Sequence, residues 1–197
     1  MGLERLAALL QGKPTVFDVD HVFPVIEHTQ SMTKVTYDKN PVPFRVIADH
    51  IRALSFMIAD GIRPGNEGRG YVERRLLRRA ARFGRELGLE EPFLHKVSAT
   101  VIELMGHHYP ELEEKRSSIE KVIATEEKRF QSTLARGMDM LEDMLANLDP
   151  GATVPGADLF RLHDTYGFPL DLATDIAEDR GFGADHEGFK AAMSQQK

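Results

Sequence analysis

Residues 111–148 read ELEEKRSSIEKVIATEEKRFQSTLARGMDMLEDMLANL, and this stretch indicates the fold class most directly. Its apolar residues recur at alternating spacings of seven and four positions: Leu112, Ile119, Ile123, Phe130, Leu134, Leu141 and Leu145. On an α-helix such residues form one narrow stripe that runs along the helix axis. The stripe predicts a single long helix over 111–148 that packs lengthwise against a partner helix.

Shorter segments with helical periodicity lie on both sides of the long helix. We predict that they form helices at 3–10, 20–32, 44–59, 93–105, 158–166, 170–180 and 186–195, together with an arginine-rich helix inside 63–85. Asp18 or Asp20 is expected to cap the second of these helices, and Gly61 to end the third. The segments 33–43 and 149–156 are rich in turn-forming residues and are expected to be loops.

No segment shows a convincing pair of alternating strands. The sequence therefore predicts an all-α fold, a helical bundle with a long antiparallel helix pair and a C-terminal group of short helices. A chain of 197 residues, of which 42% are hydrophobic, suits one large domain or two small ones.

The composition also excludes several kinds of protein. No apolar run approaches the roughly 18 residues of a membrane span, and no N-terminal signal pattern is present. Because the chain has no cysteine, disulfides and thiolate metal sites are excluded. The eight histidines are scattered without the spacing of a metal site, so we expect no metal site.

A second stretch, RPGNEGRGYVERRLLRRAARFGR at 63–85, places a turn that contains asparagine and glycine directly before a helix. Between positions 69 and 85 it carries seven arginines and one acid, Glu73, which gives a local charge of +6. Because the whole chain carries −6, the remaining residues sum to −12, which is −6 minus +6. A basic helix on an acidic protein predicts a localised anion-binding face.

A helical projection shows how these arginines are arranged. At about 100° per residue, six of them fall within roughly 140°: Arg74, Arg75, Arg78, Arg79, Arg82 and Arg85. The expected buried side is a neighbouring arc made of Val72, Leu76, Ala80, Phe83 and Leu87. Arginine suits phosphate because its planar guanidinium donates two parallel hydrogen bonds and stays charged. The alternative is a solvated face whose arginines pair with acids on neighbouring helices.

The segment DTYGFPLDL at 164–172 is unusual because it interrupts a helical pattern. We predict that one helix runs to Tyr166, breaks at Gly167 and is followed by another that restarts after Pro169. Asp164 then lies near the end of the first helix, where the helix dipole disfavours a carboxylate. Such a placement points to a functional role, although aspartate in a last turn is also common without one.

Three motifs resemble those of the bacterial alanyl-tRNA synthetases. Residues 45–88 resemble the signature of that family; they read RVIADHIRALSFMIADGIRPGNEGRGYVERRLLRRAARFGRELG. A second block, at 158–182, reads DLFRLHDTYGFPLDLATDIAEDRGF and follows in the expected order. The opening MGLERL is similar to the end of the third class II motif, Gly-Met-Gly-Leu-Glu-Arg, without its first glycine. The similarity runs from residue 1 to residue 197.

The resemblance implies that the chain is a middle slice of such an enzyme. It implies a remnant of the class II catalytic domain at 1–14, a helical tRNA-recognition domain with the long helix at 15–148, and the C-terminal helical part of that domain at 149–197. Arg5 matches the arginine of motif 3 that contacts the ATP phosphates. Since the rest of the active site lies outside the slice, the slice alone is expected to be catalytically incomplete.

The resemblance also implies the setting of the full enzyme. That enzyme is a cytoplasmic alanine–tRNA ligase that uses ATP and magnesium to attach alanine to tRNA in translation. Its editing domain, with zinc ligands, lies outside the slice, and no cofactor is expected in the slice itself. The expected partners are the acceptor stem of tRNA(Ala) and the catalytic and editing domains of the same enzyme.

The resemblance implies that enzymes of this family recognise a G·U wobble pair, which is the third base pair of the acceptor stem of tRNA(Ala). Asn66 matches the asparagine that contacts this pair from the minor groove, and Asp164 matches the aspartate that meets the guanine amino group. The flanking phosphates are assigned to Arg69, Arg74, Arg75, Arg78, Arg79, Arg82 and Arg85. One departure is His163, where many relatives have tyrosine.

The assignment agrees with the chemistry of RNA. A-form RNA has a wide, shallow minor groove, and a G·U pair leaves the guanine amine unpaired there. A carboxylate accepts from such an amine, and an amide both donates and accepts. The alternative hypothesis is a helical bundle whose basic face binds a protein partner or the missing domains of the same enzyme.

Overall fold

The structure, a computed structural model, describes residues 2–195, and α-helices account for most of them. The helices are α1 (Leu3–Leu10), α2 (Phe23–Ser31), α3 (Pro41–Ala59), α4 (Gly68–Glu86), α5 (Leu94–Met105), α6 (Pro110–Glu114), α7 (Arg116–Ala146), α8 (Gly156–Tyr166), α9 (Leu170–Asp179) and α10 (His186–Gln195). The all-α prediction is confirmed. The chain folds as two compact units, Met1–Lys128 and Arg129–Lys197, and α7 begins in the first and ends in the second.

In the first unit, α3 and α4 form an antiparallel helical hairpin. The connection between them spans only residues 60–67, and at the opposite end Asn40 Nδ2 donates to Glu86 Oε1 across 3.5 Å. The two helices form one antiparallel pair of the bundle, and the partner predicted for the long helix at 111–148 stays a prediction. α3 also packs against α2, α5 and α6. Its apolar residues are accordingly buried: Phe44, Ile47, Ile51, Leu54 and Ile58.

A buried carboxylate of α7 holds the start of α5. Glu127 is fully buried, and its two oxygens accept hydrogen bonds from the backbone N–H groups of Phe93 and Leu94, at 3.1 and 3.0 Å. These N–H groups lie at a helix start, where they have no partner inside their own helix. Burial raises the pKa of Glu127 to about 7, although the two N–H groups oppose this rise.

In the second unit, α8 packs against α9 and α10. Phe168, between α8 and α9, is fully buried against α7. A Cβ atom at Gly137 would lie 1.9 Å from Phe168 Cδ2, so the glycine leaves the space that the ring fills. The short strands β1 (Thr153–Val154) and β2 (Gly183–Ala184) pair in parallel. They were not predicted, because two residues are too few to show strand alternation.

The long helix predicted at 111–148 is wrong in one respect, because it is interrupted at Lys115. That residue has a φ of −108° and separates α6 from α7. Its Nζ donates to the carbonyl oxygen of Ala59, the last residue of α3, and thereby satisfies a carbonyl at a helix end. The predicted apolar stripe is nevertheless fully confirmed, since all seven of its residues are buried.

The predicted cap of the second helix is also wrong. α2 begins at Phe23, with Pro24 in its first turn, and its N-terminus has no side-chain cap. Asp18 instead accepts a hydrogen bond from the backbone N–H of Thr15, at 3.1 Å. A proline in the first turn favours a helix start and needs no N–H partner, so it fixes the boundary three residues later than predicted.

Candidate nucleic-acid interface

The turn before α4 is closed by glycine. The backbone N–H of Gly65 donates to the carbonyl oxygen of Gly70, at 3.0 Å. A Cβ atom at Gly70 would lie 2.5 Å from the carbonyl oxygen of Arg63, so no larger residue fits without moving the backbone. Gly68, at the start of α4, has a φ of +57°, a left-handed conformation that glycine adopts readily.

This turn presents Asn66 to solvent. The side chain of Asn66 is exposed, and its Oδ1 accepts a hydrogen bond from Arg74 Nη1. The residue at the N-cap of α4 is Glu67, which makes no capping hydrogen bond. Asn66 therefore contributes to the surface of the turn rather than to the helix start.

The buried side of α4 differs from the one predicted. Val72 is 51% exposed and Leu76 is half-buried, so their assignment to the buried side is wrong. The face that points inward consists of Glu73, Leu77, Ala80, Ala81, Phe83, Gly84 and Leu87. In a helical projection this face is rotated by roughly 60° from the predicted arc, toward Arg74 and Arg78.

The rotation brings two arginines against an acid on α7. Glu126 has a side chain only 6% exposed, and its Oε1 lies 3.1 Å from Arg74 Nε. The same oxygen accepts hydrogen bonds from Arg78 Nε and Nη2, at 3.2 and 3.0 Å. For Arg74 and Arg78, the alternative noted from the sequence, pairing with an acid on a neighbouring helix, is therefore realised.

The other arginines of α4 differ in their exposure. Arg69, Arg75 and Arg85 are exposed, and Arg79 and Arg82 are half-buried. The guanidinium of Arg82 lies 4.8 Å from the centre of the Phe83 ring. α4 thus presents a cationic surface toward solvent beside the turn that carries Asn66.

Glu73 is a buried acid inside this basic helix. Its side chain is fully buried, and neither of its carboxylate oxygens has a hydrogen-bond partner among the described residues. Burial raises the pKa of Glu73 to about 7, and the charge of Glu126 adds to the rise, whereas Arg74 and Arg63 oppose it. Near neutral pH the carboxyl group is therefore partly protonated.

A shallow groove in the first unit adds a further cation to this region. The groove has a volume of about 280 Å³ and is lined by Arg63, Pro64, Lys121, Val122, Thr125 and Glu126. Lys121 is exposed on α7, whereas Arg63 donates to Ser118 Oγ at 3.2 Å. The sequence did not single out Lys121 because the spacing of residues along α7 does not show which of them face the turn.

In the second unit, Asp164 lies where the sequence predicted. α8 ends at Tyr166, and Gly167 follows with a φ of +65°, a left-handed conformation that ends the helix. The helix α9 restarts at Leu170, after Pro169. Asp164 is exposed in the last turn of α8.

An open groove runs along α7 and α8 in the same unit. Its volume is about 500 Å³, and its lining includes Arg136 of α7 and Arg161 and Tyr166 of α8. Arg161 is three residues before Asp164 and therefore lies on the same side of α8. These cations were not among the candidate residues because each is isolated in the sequence.

The described residues contain no group of three or more histidine, cysteine, aspartate or glutamate side chains that could hold a metal ion. Arg5 is exposed on α1. None of the described helices is long and apolar enough to cross a membrane.

Comparison with known proteins gives a consistent result. The family described as tRNA synthetases class II (A) matches residues 1–197. An alanine–tRNA ligase of Streptococcus thermophilus is 52% identical over 200 residues, and one of Nitratidesulfovibrio vulgaris is 52% identical over 202 residues. A third, from Streptococcus mutans, is 51% identical over 200 residues. Each match covers 100% of this chain but only 23% of the relative, so the chain spans about a quarter of the length of these proteins.

Proposed function

The chain belongs to the class II (A) family of tRNA synthetases, and from this membership we propose that it is the region of an alanine–tRNA ligase that recognises the acceptor stem of tRNA(Ala). The whole enzyme would attach alanine to tRNA with ATP and magnesium. The relatives carry the name alanine–tRNA ligase, which supports this choice of substrate.

The observation that carries the proposal is the basic surface of α4 beside an exposed asparagine. Phosphate contacts hold a protein in register on a nucleic acid, and contacts to base edges supply sequence preference. The exposed Arg69, Arg75 and Arg85 are suited to the first role, and Asn66 to the second. The second unit offers a similar combination, with Arg161 and Asp164 on one helix.

We assign the reading of the G·U pair to Asn66 and Asp164. The exposed carboxylate of Asp164 is suited to accept from the guanine amine, which a G·U pair leaves unpaired in the minor groove. The wide, shallow minor groove of A-form RNA gives exposed side chains access to base edges. Asp164, in the last turn of α8, and Asn66, in the tight turn before α4, are both exposed and so accessible to a base edge.

Catalysis requires more than these residues supply. Arg5 is the counterpart of the arginine that contacts the ATP phosphates, and it is exposed on a short helix. One exposed arginine does not form a nucleotide pocket, so no catalytic step is assigned to this chain. The zinc expected for the editing domain of the full enzyme stays a prediction.

The first test concerns specificity. Asp164→Ala is expected to remove most of the preference for a G·U over a G·C acceptor stem, since one base contact contributes on the order of 1–3 kcal/mol. Asn66→Ala should act in the same direction. The measurement is the ratio of dissociation constants for two RNA stems that differ only in this pair. If both variants keep the wild-type ratio, the assignment of Asn66 and Asp164 is wrong.

The second test concerns the phosphate contacts. If about four arginines of α4 engage phosphate, the slope of log binding constant against log salt concentration should be about −3. Replacing Arg75 and Arg79 with glutamine should reduce its magnitude by about 1.5 for both stems. The control replaces the exposed Lys13 and Lys96, which removes the same charge from elsewhere in the first unit. A flat salt titration of the wild-type chain would favour the alternative, that the basic face binds a protein partner or the other domains of the enzyme.

A further inference from the structure

A chain of three side chains links the interior of the first unit to Asn66. Glu126 of α7 is almost fully buried and lies 3.1 Å, through Oε1, from Arg74 Nε. Arg74 is largely buried as well, with a side chain 18% exposed, and its Nη1 donates to Asn66 Oδ1. The guanidinium therefore lies between an acid on α7 and the amide in the exposed turn.

Glu126 is itself firmly held. Its Oε1 also accepts two hydrogen bonds from Arg78, at 3.2 and 3.0 Å. Arg78 is four residues from Arg74 and so lies on the same face of α4. An almost fully buried carboxylate with two guanidinium groups on one oxygen is constrained in position, because its charge-assisted hydrogen bonds to Arg78 add to the ion pair with Arg74.

The contact with Arg74 also determines which end of the Asn66 amide is available. Arginine donates hydrogen bonds and never accepts them, so the oxygen and not the nitrogen of the amide must face Arg74. The oxygen Oδ1 is thereby engaged, and the NH₂ group is the part of this exposed side chain that is left for a ligand. Asn66 is accordingly arranged as a hydrogen-bond donor.

We propose that Glu126 is a positioning residue for recognition of the acceptor stem: through Arg74 it fixes the amide of Asn66 so that its NH₂ group faces the minor groove of the RNA. This inference rests on the proposed function. The groups that Asn66 would contact are acceptors, such as the uracil O2, the guanine N3 or a ribose 2′-hydroxyl oxygen. Glu126 itself touches no part of the RNA.

The test compares two acids on α7. Glu126→Gln removes the charge that holds Arg74 and keeps the size of the side chain. Glu120→Gln removes the same charge from a residue that pairs with Arg116 instead, at 3.7 Å. Each change makes the chain less acidic, so any general gain in RNA affinity should be shared. Only Glu126→Gln is expected to lower the ratio of the G·C to the G·U dissociation constants, by about tenfold, as one lost base contact would.

A double variant distinguishes positioning from a general weakening of the structure. If Glu126 acts through Asn66, then Glu126→Gln in an Asn66→Ala background should change the ratio by less than about twofold, because contacts in one chain are not additive. Arg74→Met, which keeps the aliphatic stem but removes the donors, should also lower the ratio about tenfold. It provides the same test if Glu126→Gln does not fold.

The outcomes separate this inference from the proposed function. If the wild-type chain binds both stems equally, the proposed function fails and the inference fails with it. If Asn66→Ala lowers the ratio but Glu126→Gln and Arg74→Met do not, the proposed function stands and the positioning role is overturned. A loss of preference in Glu120→Gln as large as that in Glu126→Gln would also overturn it, since net charge alone would then explain the effect.

Discussion

Phe168→Ala is expected to destabilise the second unit by about 3–5 kcal/mol, the usual cost of truncating a buried phenylalanine to alanine. The ring is fully buried and fills the space over Gly137, where a Cβ atom would lie 1.9 Å from it. It also follows Gly167, the residue at which α8 ends. Removing the ring therefore leaves a cavity close to the end of α8, whose last turn carries Asp164.

Amide hydrogen exchange is the appropriate measurement, because it reports on each unit separately. Protection of α8 and α9 should fall in Phe168→Ala, while protection of α3 and α4 should not change. Phe160→Ala serves as the control, since Phe160 belongs to α8 but is only half-buried, and a smaller loss is expected there. An equal loss in the two variants would contradict the role assigned to the contact with Gly137.

The sequence was a good guide to the helices of this chain because their signals are local. α1 and α10 have the predicted bounds, and the break at Gly167 was identified from glycine and proline alone. The apolar stripe of the long helix was also correct. Its interruption at Lys115 was not apparent, because Leu112 and Ile119 keep the seven-residue spacing of the stripe across it.

The candidate site was predictable only in outline. Local charge identified the arginines of α4, but it did not show which of them face the core. Glu73 was counted only as the one acid among the arginines and was not placed on the predicted buried side, whereas it is fully buried. The partner of Arg74 and Arg78 is Glu126, about 50 residues further along, and its spacing within α7 carries no sign of this pairing. A single sequence does not show which helices, distant along the chain, contact one another.

The buried carboxyl group of Glu73 is expected to make the stability of the first unit depend on pH. Its pKa is raised from 4.5 to about 7, first by burial and then by the charge of Glu126, while Arg74 and Arg63 oppose the rise. The folded chain holds this proton more tightly than the unfolded chain. The contribution of Glu73 to the free energy of unfolding is therefore fully present below pH 4.5. It is lost as the pH rises through 7, by on the order of 3 kcal/mol in all.

Glu73→Gln should remove this contribution, because an amide of the same size does not ionise. The difference in free energy of unfolding between the variant and the wild-type chain should therefore grow in favour of the variant by on the order of 3 kcal/mol between pH 4.5 and pH 8. Urea unfolding at several pH values measures it.

Glu127, whose pKa is also raised to about 7, contributes equally to both proteins and cancels in the difference. The exposed Glu67→Gln controls for net charge. A difference that is constant with pH would mean that Glu73 stays ionised in the folded chain, and the neighbouring Arg74 and Arg63 would then have to outweigh its burial.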